Sequence, residues 1–344
     1  MKITKMLTSL LAALAVFGCS KTEESPVVYG DKIEVRIGMN GDISVSTDSE
    51  TRSSADNGIY GINVYFDKDK DSKTDDIYAY GVFDNVADMT ITLLSGYKYK
   101  FVCTFAKNGE HSLYYGQYDG NSYMGYAKPF ATNKHSSTEL GNKFIYSNQT
   151  SEYLSGIGNG DAVVCDLTTG AAYTQTYPRI HRYYGELDSY SPVAGGVATI
   201  PLKKTVFGMK LIIKGVPEGS LNADVKANGT SLLNMTATQA DYVSGNDLYS
   251  YVNVYDCWKN ESTIPGTVTW SYTSDKFSQW NLSGSSEITF KRNVLTTITV
   301  SVTPDSASAS ISLTEEEWDD ENTINMGINT DGLIDIIVNP EPED

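Results

Sequence analysis

Apolar residues at every second position, in short runs closed by glycine and aspartate, constrain this chain more than anything else in it. Ile33, Val35, Ile37 and Met39 alternate with polar or small neighbours, and Ile43 and Val45 continue the odd-numbered series past Gly41. Tyr60, Ile62, Val64 and Phe66 repeat the pattern, and runs at 77–83, 89–93 and 97–105 follow in quick succession. A period of two turns one face of each segment toward a core and the other toward water. Strands this short and this closely spaced indicate antiparallel β structure, as a sandwich or an open barrel. A second series opens at Val197, with Ala198, Ile200 and Leu202, then Phe207, Met209, Leu211 and Ile213 on a strand expected to end at Gly215. Further candidates lie at 248–255, 266–272 and 286–290, at Val294 through Val302, and at 307–313 and 333–338. Helix signals are sparse. The expectation is an all-β chain of two tandem β-sandwich domains, 32–194 and 195–344. Residues 108–194 form a long-loop region that holds half of the 24 tyrosines.

The start of the chain places it outside the cytoplasm. Lys2 and Lys5 precede an apolar run of about a dozen residues, which suits a signal-peptide core and falls short of the roughly 20 needed to span a bilayer. The run closes on Val16, Phe17, Gly18 and Cys19, which resembles a bacterial lipobox, apart from a bulky Phe17. The resemblance implies removal of residues 1–18 and acylation of Cys19, with 19–31 (CSKTEESPVVYGD) as a polar tether. An ordinary secretory signal cleaved nearby is the alternative.

The whole chain carries a formal charge of −17, and losing Lys2 and Lys5 takes it to −19. That balance argues against nucleic acid and against a basic membrane-binding face. Cys103, Cys165 and Cys257 have no metal-ligand spacing. Cys103 shares a strand side with Tyr97, Tyr99, Phe101 and Phe105 and reads as a core thiol; Cys165 and Cys257 are free to pair or not in an oxidising compartment.

No catalytic constellation stands out. His111, His135 and His181 have no nucleophile motif beside them, and the zinc-helix, nucleophile-elbow and phosphate-loop patterns do not occur. The GxGxG of Gly156, Gly158 and Gly160 runs into Ala162, Val163 and Val164, a strand-like run without the helix start that a phosphate cradle needs. It reads as a loop. The acidic series Asp67, Asp69, Asp71 and Asp75 has partial calcium-loop spacing, but Ser72 and Tyr78 stand where an EF-hand has glycine and glutamate, so a charged hairpin loop is favoured. Tyr114, Tyr115, Tyr118, Tyr123 and Tyr126 are candidate sugar-stacking platforms; packing along β-sheets is the competing reading. No enzyme activity, cofactor or metal is expected.

Several features taken in order resemble the fimbrillin family of Bacteroidetes, subunits of type V pili. They are the lipobox at Cys19, the long first strand, and the polar linker 46–58 with Thr51, Arg52 and Ser53. The runs 61–66 (GINVYF), 94–101 (LSGYKYKF), 198–211 (ATIPLKKTVFGMKL) and 290–302 (FKRNVLTTITVSV) follow. The resemblance implies transthyretin-like, Greek-key sandwiches and a surface fimbria whose output is adhesion. It also implies a processing step, cleavage between Arg52 and Ser53, which would release the first strand (Ile33, Val35, Ile37, Met39, Ile43, Val45) and free the subunit from its lipid. A donor strand from a neighbour would fill the groove, and Leu333, Ile334, Ile336, Ile337 and Val338 are the candidate. The implied partners are other fimbrial subunits, the outer membrane through the lipid, and host or bacterial surface glycans or proteins. Two alternatives stay open: an anchor or accessory subunit that remains uncut, and a glycan-binding surface lipoprotein serving an outer-membrane uptake system.

Overall fold

The computed structural model describes residues 30–42, 58–107, 113–115, 125–165, 171–274, 282–303 and 308–317. Among them strands dominate.

The first body contains β1 (Lys32–Gly41), β2 (Ile59–Phe66), β3 (Asp76–Phe83), β4 (Thr90–Leu94) and β5 (Tyr99–Lys107). The short pieces β6 (Tyr114–Tyr115), β7 (Gly125–Tyr126), β8 (Ile145–Tyr146), β9 (Ala162–Cys165) and β10 (Ala172–Gln175) follow, then β11 (His181–Tyr190) and β12 (Val197–Lys204). Its main sheet runs β4-β1-β12-β11-β5-β2-β3-β8. The β11–β12 joint consists only of Tyr183 opposite Lys204 and Tyr184 opposite Lys203. At that joint the sheet folds over, so the wing β4-β1-β12 faces the other five strands and forms a sandwich from one sheet. Val35, Ile37, Met39, Ile91, Leu93, Ala198, Ile200 and Leu202 from the wing meet Ile62, Val64, Phe83, Phe101, Cys103 and Phe105.

The outer face of the five-stranded part is also covered. Ile59, Tyr80, Val82, Val102 and Ala106 pack under Phe130, Leu154, Ile157 and Ala162 of the tyrosine-rich segment. Strands β2 and β5 are therefore buried along nearly their whole length instead of alternating. The glycine-rich run 155–160 belongs to this cover. It wraps the guanidinium of Arg182, which donates to the carbonyls of Gly156, Ile157 and Asn159 and to Thr104 Oγ1.

Only Thr205 separates β12 from β13 (Val206–Ala227), which forms a long hairpin with β14 (Thr230–Ser250). After these come the helix α1 (Val254–Asn260), β15 (Ile264–Thr273), β16 (Leu282–Phe290), β17 (Val294–Thr303) and β18 (Ser308–Glu317). Strand β13 does not end at Gly215 as expected. Gly215 takes a φ of +67°, the hairpin register shifts between Val216 and Ser220, and the strand continues in a new direction. Its first half lies between β14 and β17, and its second half between β14 and β15. The hairpin thus contributes to both layers of the second sandwich, around Phe207, Leu211, Ile213, Leu221, Val225, Val268, Phe290 and Val300. Strand β12 pairs in the first sheet, and the second sheet opens at Val206.

The chain is all-β as expected, and among the described strands most pairings are antiparallel. β1 runs parallel to β12, and β13 runs parallel to β17. The segment expected as a strand at 248–255 instead ends β14 and begins α1, capped by Asn253, whose side chain accepts from the Asp256 N–H. Cys257 on that helix is a free, buried thiol, so it does not pair with Cys165; burial pushes it up to about 12. Cys103 is likewise free and buried, as the sequence suggested.

Candidate functional site

The first described strand, β1, lies between β4 and β12. Its odd-numbered side chains face inward: Val35, Ile37 and Met39 are buried and Ile33 is half-buried. On one side Ile33, Val35 and Arg36 lie opposite Leu93, Ile91 and Thr90 of β4, antiparallel. On the other side Arg36, Met39 and Gly41 lie opposite Val197, Ile200 and Leu202 of β12, in parallel. β4 and β12 are not neighbours of each other; β1 is what joins them. Strands sit about 4.8 Å apart, so β1 fills a slot one strand wide with backbone groups waiting on both walls.

The outer wall of that slot is held without β1. Among the described residues no strand lies beside the edge of β4 that faces away from β1, and tyrosine hydroxyls occupy its backbone groups. Tyr146 accepts from the Thr92 N–H at 3.0 Å and Tyr78 donates to the Thr92 carbonyl at 2.8 Å. Tyr99 accepts from the Leu94 N–H at 2.8 Å and donates to the Leu94 carbonyl at 3.1 Å. The three rings reach across from β8, β3 and β5, with Tyr78 edge-on to both Tyr99 and Tyr146. Burial pushes the Tyr78 phenol up to about 12 and raises that of Tyr99 as well.

The far end of β1 is tied to the second body. Gly41 closes the strand at a φ of +98°, where an added Cβ would meet the Leu202 carbonyl oxygen at 2.3 Å, so only glycine fits. The next residue, Asp42, donates its N–H to the Leu202 carbonyl at 2.8 Å. Its Oδ2 accepts from the Lys204 N–H at 2.8 Å and from Arg292 Nη1 at 2.9 Å. Arg292, between β16 and β17, also donates to the Lys204 carbonyl and lies 3.7 Å from Glu261 Oε1. Glu261 pairs in turn with Lys203, whose hydrogen bond holds the carboxyl below its ordinary value.

Several residues singled out from the sequence fall elsewhere. Cys19, Ile43, Val45, Arg52, Ser53, Tyr118, Tyr123 and the segment with Leu333, Ile334, Ile336, Ile337 and Val338 lie outside the described residues. Tyr114 and Tyr115 form β6, whose backbone pairs with β7. Tyr126 is no sugar platform: it is buried against Phe130, because the tyrosine-rich segment roofs a core. In the 67–75 loop Asp67 accepts from the Lys98 N–H and Asp71 pairs with Lys73, so the two carboxylates do not converge. Among the described residues no group of three His, Cys, Asp or Glu is placed to hold a metal. The sequence reading missed Asp42, Arg292, Tyr78, Tyr99 and Tyr146. Only the position of Asp42, directly after a strand-closing glycine, offered a local signal.

No family model matches the chain, and no curated protein matches it. Among solved structures it is similar to a candidate cell adhesion protein from Bacteroides eggerthii, at 12% identity and a TM-score of 0.39 over 85% of this chain and 97% of that one. It is similar to the fimbrial anchor protein Mfa2 from Porphyromonas gingivalis, at 9% identity and a TM-score of 0.34 over 84% and 98%. A fimbrial assembly protein from Parabacteroides distasonis aligns at 11% identity and a TM-score of 0.34 over 83% and 97%. With TM-scores this low the functional reading rests on this chain's own residues.

Proposed function

We propose that the protein is a fimbrial subunit of the bacterial surface that polymerises by strand exchange and serves adhesion. The observation that carries this reading is the position of β1, the first of the described strands, wedged between two strands that do not pair with each other. Burying Val35, Ile37 and Met39 contributes on the order of 6 kcal/mol, at roughly 2 kcal/mol per side chain. An empty groove is therefore costly, and β1 leaves only in exchange for another strand of the same pattern. The polar linker that follows it carries Arg52, a cleavable position in a composition that proteases favour. The apolar segment at 333–338 has the alternation a donor needs, and strand addition at an open sheet wall supplies main-chain hydrogen bonds together with side-chain pockets. Cys19 then holds the precursor to the outer membrane until the cut releases it. The role is structural and needs neither a catalytic group nor a cofactor.

Deleting residues 333–344 tests this. Full-length protein cut after Arg52 forms ladders of heat-resistant oligomers on gels, and the deletion variant stays monomeric. Ladders of equal length from the deletion variant would sink the donor assignment.

A further inference from the structure

We infer that the Arg292 end of the groove is a carboxylate-docking site, which recognises the acidic tail of the incoming strand from a second copy and sets its direction and register. This rests on the strand-exchange reading above and specifies what the second copy must present. Arg292 is only 18% exposed and Asp42 33%, so their 2.9 Å contact is partly shielded from water. A charge-assisted hydrogen bond in such a place outweighs a solvent-exposed ion pair. The Lys204 carbonyl positions the guanidinium independently of Asp42. When β1 departs, Asp42 departs with it, and Arg292 loses its nearest carboxylate while keeping its place at the groove's end.

The donor segment repeats the spacing of the strand it would replace. In β1 the relevant residues are Val35, Ile37, Met39, Asn40 and Asp42; in the tail they are Ile334, Ile336, Val338, Asn339 and Glu341. Laid in the register of β1 and parallel to β12, the three apolar side chains take the buried positions, and Asp335 falls at the exposed position of Arg36. Asn339 falls at Asn40 and Glu341 at Asp42. Pro340 cannot adopt the φ of +98° that Gly41 takes, so the donor backbone parts from the β1 path after Asn339. Glu341, Glu343 and Asp344 supply several carboxylates within reach of that altered path. A strand inserted in the opposite direction would carry this acidic run away from Arg292.

The test uses full-length chains cut after Arg52 with an arginine-specific protease, all carrying Asp42→Asn so that loss of the Arg292 tie to β1 affects every chain alike, with the rate of ladder formation as the readout. Arg292→Glu, and separately Arg292→Gln, form ladders about tenfold more slowly than the chain with Arg292 intact, the change that a loss of about 1.4 kcal/mol produces. Combining Arg292→Glu with Glu341→Lys and Glu343→Lys restores the rate, which a merely misfolded acceptor cannot do. Equal rates for that chain and both Arg292 variants would overturn the docking site while leaving strand exchange intact. Failure of the charge-swapped chain to recover would also overturn it. Absence of ladders from the chain with Arg292 intact would instead overturn the strand-exchange reading itself.

Discussion

Arg182 shows how much one side chain organises here. It is fully buried, and burial lowers its guanidinium to about 9, yet it faces carbonyl oxygens from three loop residues. Replacing it with methionine keeps the volume and strands those carbonyls, at about 1–3 kcal/mol for each acceptor left unsatisfied. Arg182→Met is therefore expected to lower the unfolding free energy in urea by about 3 kcal/mol; a change below 1 kcal/mol would contradict this role. Gly41 carries a different constraint. Gly41→Ala forces a φ of +98° on a residue with a Cβ and drives it into the Leu202 carbonyl, for about 2 kcal/mol or more. The glycine run at 155–160 was legible as a loop because no helix start follows it. Its folding around Arg182 was not, because the partners lie 23 to 26 residues apart with no local pattern linking them.

At the scale of elements, β1, β12 and β17 follow from alternation alone, because each turns one apolar face to a core. The turn of β13 into the second layer and the start of α1 were hidden, for separate reasons. A glycine ends a strand or bends it equally well, and which of these Gly215 does is decided by β15 and β17 on either half. Asn253 and Asp256 form a helix-start signal, but it sits inside a run whose Tyr251, Val252 and Val254 favour strand. The tyrosine brace on β4 is an element-level device with a pH signature. The folded phenols of Tyr78 and Tyr99 are raised above the ordinary value of 10, so folding binds their protons more tightly. Their contribution is complete below pH 10 and is lost as pH rises from 10 through about 12. The wild-type protein is accordingly expected to lose stability steeply over that range. A Tyr78→Phe, Tyr99→Phe double variant should be less stable at neutral pH but flatter in alkali. Parallel alkaline curves for the two proteins would count against the brace.

The described residues form two sandwiches sharing one short joint. Thr205 hydrogen-bonds to Arg182 on one side and to Tyr251 on the other, and Tyr184 packs edge-on against Tyr255 and Trp258 of the second body. Asp42 and Arg292 add a tie between bodies at the very strand proposed to leave. Asp42→Asn is therefore expected to speed loss of the first strand after cleavage about tenfold, by removing a charge-assisted bond of about 1.5 kcal/mol. Unchanged retention of the cut fragment would show that the tie does not restrain it. The central claim is that β1 is exchanged, not retained, when subunits join. Mass spectrometry of chains extracted from heat-resistant oligomers decides the matter: an N-terminus at Ser53 and no peptide from Lys32–Gly41 is the expected result, whereas oligomers that retain β1 behind an acylated Cys19 would refute exchange.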